Sequence, residues 1–243
     1  MNATLRFLLP MLFVAIWSLS TPPSGWSHEP NAEQHASVRQ LLKNANAAIE
    51  NGDMDAFSSH FTGSEAEVKL IRTVGNLLAS MLKYRRTAVE VYGEDTWNSV
   101  PLIEIFQGLD ALKQFSGDAH IFFAKDAALV RVSGQPPGFL VVRKEGTWKI
   151  DAKDWIVCGE IEFKKHGQAQ PITSPAALQF FQSMAQIFDQ AAGEEMGAES
   201  KDLKAALNQL NSRLARRMFQ LLYLDSRETS DGEASKSDDS SDK

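Results

Sequence analysis

The side chains best fitted to move protons in this chain are five histidines, His28, His35, His60, His120 and His166, together with a scatter of aspartates. An imidazole can take and return a proton near neutral pH, and a carboxylate in a dry cavity can act as a base beside a carbonyl. His120 carries the strongest pattern. In AHIFF it alternates with Phe122, so both point to one side of a strand while Ile121 and Phe123 point to the other. A histidine beside an aromatic ring suits an acid–base pocket, and it equally suits a strand histidine hydrogen-bonded near the surface. His60, near Phe57 and Phe61, reads more plainly as structural. Asp118 and Asp126 fall at turns, where aspartate bonds to the backbone. Asp151 and Asp154 follow the Trp-Lys-Ile run and lie either at the mouth of a cavity or in a surface turn.

Other chemistry leaves no pattern. His28, His35 and His166 lie near the start of the mature chain or in a linker, so no metal-ligand spacing emerges. Gly134, Gly138 and Gly146 fall between strands, not between a strand and a helix, and so make no phosphate loop. No Gly-x-Ser-x-Gly elbow occurs, and no cofactor is expected. The single cysteine, Cys158, stands in apolar WIVCG, which excludes an internal disulfide and suits a small core residue. Trp97, Phe106, Phe122, Trp148 and Trp155 either line a concave apolar surface or build a core. The candidate pocket or ligand contacts are therefore His120, Phe122, Trp148 and Trp155, with no catalytic residue and no metal ligand assigned. Arg213, Arg216 and Arg217 cluster late in the last helix, where cations suit the helix dipole or meet an acidic partner or tail.

The elements that would hold these residues come as helices first and strands after. Val38, Leu41, Leu42, Ala45 and Ile49 recur at helical spacing, with Gly52 placed to close that helix. DMDAFSSHFTG makes a short second helix. Ser64 then caps a long one, whose stripe runs through Val68, Ile71, Val74, Leu78, Met81 and Leu82 and which fades near Gly93. PLIEIF reads as a strand, and QGLDALKQF as a turn of helix or a loop. From His120 the strands follow as a short antiparallel meander, apolar on one side, with a turn at Glu145-Gly146. DWIVCGEIEFKK reads as one more strand, and GQAQPITSP as a linker. Ser174 and Pro175 open another helix, and the leucines from Leu203 to Leu221 trace a last one whose seam wants a helix against it. Helices followed by a meander indicate an α+β domain, not a parallel α/β sheet.

The ends set the compartment. Arg6 precedes FLLPMLFVAIWSL, apolar for about a dozen residues, and then STPPSGWS breaks the run, as in a secretory signal peptide cleaved after Ser20 or Ser27. The run is short for a membrane span, so the protein is expected to be exported, periplasmic or secreted, with an uncleaved N-terminal anchor as the alternative. The net charge of -6 argues against nucleic-acid binding. The segment from Asp225, rich in Ser, Asp, Glu and Lys, has little to bury and should be disordered.

Two stretches resemble a known family. AIENGDMDAFSSHFTG is similar to the helix, Gly-Asp turn and short second helix of the nuclear-transport-factor-2-like superfamily. PPGFLVVRKEGTWKID is similar to its paired strands ending in a Gly-x-Trp-Lys-Ile-Asp turn. The resemblance runs from about Asn31 to Lys165 and implies the cone of ketosteroid isomerase and scytalone dehydratase. In that cone, N-terminal helices pack on a curved antiparallel sheet. The long helix after Ser64 and a C-terminal helical hairpin after Pro171 would be additions that cover or fill the mouth. The expected organisation is a signal peptide over 1–27, the cone-like domain over 28–167, the hairpin over 168–225 and the tail over 226–243. Catalytic relatives use an acid–base pair inside the cone, and no such set can be carried onto these residues. The expected function is an exported non-catalytic binding or protein-interaction domain of the cell envelope, its partner a second copy or another envelope protein. The alternative is a small-molecule lyase or isomerase that takes a small apolar ligand into the cone.

Overall fold

The computed structural model describes residues 32–100, 106, 109, 119–131, 138–158, 163–165, 168–193, 196 and 202–224. The expected signal peptide and tail, residues 101–105 of the expected PLIEIF strand, His28, Asp118, His166 and the side chain of Cys158 lie outside the described residues.

Four of the described helices precede the meander. α1 (Ala32–Glu50) buries Val38, Leu41, Leu42, Ala45 and Ile49, the set that its spacing predicts. It closes at Gly52, whose φ of 70° suits a residue without a Cβ. α2 (Met54–Ser59) is capped by Asp53, which accepts from the Ala56 amide. α3 (Glu65–Tyr92) starts with a capping box: the Ser64 hydroxyl accepts from the Glu67 amide while Glu67 reaches back to the Ser64 amide. It stops at Gly93, with φ of 87°. α4 (Glu94–Ser99) follows and buries Trp97.

The sheet contains β1 (Phe61–Thr62), β2 (His120–Phe123), β3 (Ala127–Arg131), β4 (Phe139–Lys144) and β5 (Thr147–Asp151), in the order β1-β5-β4-β3-β2. β2 to β5 are the expected antiparallel meander. β1 pairs parallel with β5, so the sheet is mixed and not purely antiparallel. Glu145 and Gly146 turn the β4–β5 hairpin with φ of 51° and 82°, the left-handed pair that a tight two-residue turn requires.

Where the sequence reads as a strand after Asp151, the chain forms a helix, α5 (Ala152–Cys158). Asp151 ends β5 by accepting the Asp154 amide at 2.8 Å, which caps the new helix. The Asp154 carboxylate then accepts the Leu140 amide at 2.6 Å, so a side chain satisfies a β4 donor that a longer β5 would have faced. Phe163–Lys165 is a strand as expected (β6), but it pairs with Gln168–Gln170 (β7) in a separate two-stranded sheet, where the sequence reads as linker.

α6 (Pro175–Gly193) opens on Ser174, whose hydroxyl accepts the Ala177 amide. α7 (Leu203–Phe219) is capped by Asp202 and runs into a π-helical turn over Gln220–Leu224. α6 packs along α3, and α7 packs on α6. Leu203, Leu207, Leu210 and Leu214 of α7 are buried in the same cluster as Ile71, Tyr84, Val141 and Phe188, so the leucine seam is filled from within the chain. The polar edge of these contacts is tied as well: Ser80 of α3 donates to Asp189 of α6, and Arg217 of α7 to Ser183 of α6. No described helix is long and apolar enough to cross a membrane.

Candidate functional site

Register divides the sheet into two faces. On the inner face, Phe61 and Ile150, Ile150 and Val141, Val141 and Ala128, and Ala128 and Phe123 stand opposite one another in turn. All are buried against the helices. The space above them is occupied by rings. Tyr84 stacks on Phe106 with centroids 5.7 Å apart, Phe106 meets Trp97 edge-on at 5.3 Å, and Phe188 of α6 closes on Phe106 at 5.6 Å. Tyr84 and Phe188 are at most 1% exposed, so helices from both ends of the chain fill the interior.

The four candidate contacts do not converge on one place. Trp148 belongs to the inner face, buried edge-on against Phe123 at 6.1 Å. Trp155, on α5, is half-buried and packs against Phe61 at 5.6 Å and Phe57 at 6.5 Å. Phe122 is half-buried on the outer face of the sheet. His120 opens β2 as an exposed residue opposite Arg131. His35 lies within α1; its ring sits 5.9 Å from Phe123 and its Nδ1 accepts from Arg39.

Among the described residues, two titratable groups with perturbed equilibria, His60 and Asp154, flank β5, and a third, Glu67, is held low by the Ser64 amide at the start of α3. Burial, and secondarily the Lys149 ammonium, holds the His60 imidazole below its usual range. Burial pushes the Asp154 carboxyl up, the Leu140 amide draws it back, and the neighbouring Asp151 charge raises it again. Both residues have structural duties. The His60 carbonyl accepts the Ile150 amide that joins β1 to β5, and Asp154 holds the end of β4. Lys149 is anchored to the Ser59 carbonyl. Among the described residues no cluster of His, Cys, Asp or Glu could hold a metal ion.

The outer face supplies what the sequence reading passed over. There Phe122, Leu129 and Leu140 stand opposite one another across β2, β3 and β4, with Ala127 opposite Val142. The meander is thus apolar on both sides, not on one. The signal was present in the unbroken runs AALV and FLVV, because a strand covered on both faces loses its polar alternation. Leu129 is 8% exposed, and Phe122, Ala127, Leu140 and Val142 are half-buried.

No protein-family model, no curated protein and no solved structure matches the chain.

Proposed function

We propose that this chain is an exported binding or protein-interaction domain of the cell envelope, with no catalytic machinery of its own. Its frame is a cone of the nuclear-transport-factor-2-like kind, with α6 and α7 as an added C-terminal helical hairpin. One observation carries the reading: the inner face of the sheet is closed by the aromatic packing of Tyr84, Trp97, Phe106 and Phe188. A lyase or isomerase in a cone needs the reverse, a vacant interior with an acid–base pair in it. Export rests on the N-terminal sequence, where a basic start, a short apolar run and small residues follow in order.

Native mass spectrometry of the protein purified from its own host's envelope fraction tests this. The expected species carries the mass of a second protein chain, with a mature terminus at Thr21 or His28 and no retained small molecule. A monomer that retains a stoichiometric small molecule would overturn the reading in favour of a ligand-binding cone.

A further inference from the structure

We propose that Asn51 is a site of spontaneous deamidation, and that the isoaspartate it leaves undoes the cap that joins α1 to α2. The inference stands apart from the interaction-domain reading. Asn51 and Gly52 form the one Asn-Gly pair in the sequence. Asn51 is exposed at the end of α1, and among the described residues its carboxamide has no hydrogen-bond partner. Asn44 and Asn46 differ on both counts. The Asn44 Oδ1 accepts from Gln40, the Asn46 Nδ2 donates to Glu50, and each residue is followed by alanine. Gly52 has no side chain to hinder attack by its own nitrogen, and nothing lies within 4 Å of where a Cβ would stand.

The reaction needs only water. The Gly52 nitrogen attacks the Asn51 Cγ and gives up its proton. The new C–N bond closes a succinimide ring as the Cγ–Nδ2 bond breaks, and ammonia leaves with the proton. Water then opens the ring. Cleavage between Cγ and the Gly52 nitrogen gives aspartate, whereas cleavage between the main-chain carbonyl carbon and that nitrogen gives isoaspartate, whose backbone runs through Cβ. The fold sets the access to this step. The Gly52 amide donates to the Ile49 carbonyl at 3.0 Å and the Asp53 amide to the Ala48 carbonyl at 2.9 Å, the two bonds that close a helix on a left-handed glycine. Only the first must open for the attack, and it lies in the last turn of α1, where helices fray. An isoaspartate lengthens the backbone at 51 and moves both donors off their carbonyls. It also sets a new negative charge beside Glu50, at a helix end with no basic residue in its last turn. Directly after this turn, α2 holds Met54 and Phe57 in the core, so a displaced cap loosens that packing.

Peptide mapping of the full-length chain, kept folded in mildly alkaline buffer at physiological temperature, tests the proposal. The expected result is the mass gain of an amide turned into an acid at Asn51, with isoaspartate in excess of aspartate. It should precede any change at Asn98, which is exposed but followed by Ser99. The isolated isoaspartate form should melt below Asn51→Asp, which carries the same charge on an ordinary backbone. Asn51→Gln, whose longer side chain closes the ring far more slowly, should stay unchanged over the same incubation. An amide that survives at 51 while Asn98 converts overturns the proposal, as does conversion confined to chain unfolded in urea. An isoaspartate form that melts together with Asn51→Asp overturns it too.

Discussion

Asp154 and His60 occupy one corner of the fold and respond to acid with opposite sign. Asp154 titrates above its ordinary 3.8, so the folded chain binds its proton more tightly than the unfolded chain does. Its ionisation therefore opposes folding at neutral pH, and that opposition disappears as the pH falls through the raised value and below 3.8. His60 titrates below its ordinary 6.5, so its contribution is complete above 6.5 and is lost as the pH falls from there through the lowered value. Asp154→Asn keeps an oxygen for the Leu140 amide and removes the charge. Thermal melts from pH 3.5 to 7 should show Asp154→Asn at least as stable as wild type at pH 7, with the difference closing towards the acid end. A large loss of stability at pH 7 would mean that the charge itself holds the α5 corner. Nothing in the sequence flagged Asp154 for this duty, because its partner is a backbone amide 14 residues earlier.

At the scale of elements, the decisive contact joins the two halves of the chain: α6 lies along α3 and places Met184 and Phe188 in the common core. Ending the chain before Pro171 would uncover that surface on α3. The truncated protein is therefore expected to aggregate or to lose cooperative unfolding, as read by light scattering and circular dichroism. A soluble, cooperatively melting fragment would show that residues up to Gln170 make a core of their own. The sequence made α1, α3, α6, α7 and the β4–β5 hairpin legible, since each is signalled within a few residues by stripe, cap or turn. It hid α5 and β1. WIVC is strand-like in composition, but Asp151 caps the chain into a helix and Asp154 is tied to the Leu140 amide of β4, while Phe61–Thr62 becomes a strand only beside β5. The outer face was hidden for a related reason. Alternation was read from single strands, and register showed which apolar residues stand together.

For the molecule as a whole, the arrangement of the helices decides what the interior can hold. Helices on both sides of the meander in sequence close the inner face of the sheet with aromatic side chains. Phe188, fully buried among Tyr84 and Phe106, is the central piece of that closure. Phe188→Ala should cost about 3–5 kcal/mol and leave an apolar cavity able to take a small aromatic molecule. Titration of both proteins with indole, followed by thermal shift and by two-dimensional NMR, tests the closed interior most directly. The account predicts that Phe188→Ala regains stability with indole, while wild type shows neither a shift in melting temperature nor saturable changes at Tyr84 and Trp97. Saturable binding of indole inside the wild-type protein, at those same residues, would contradict it.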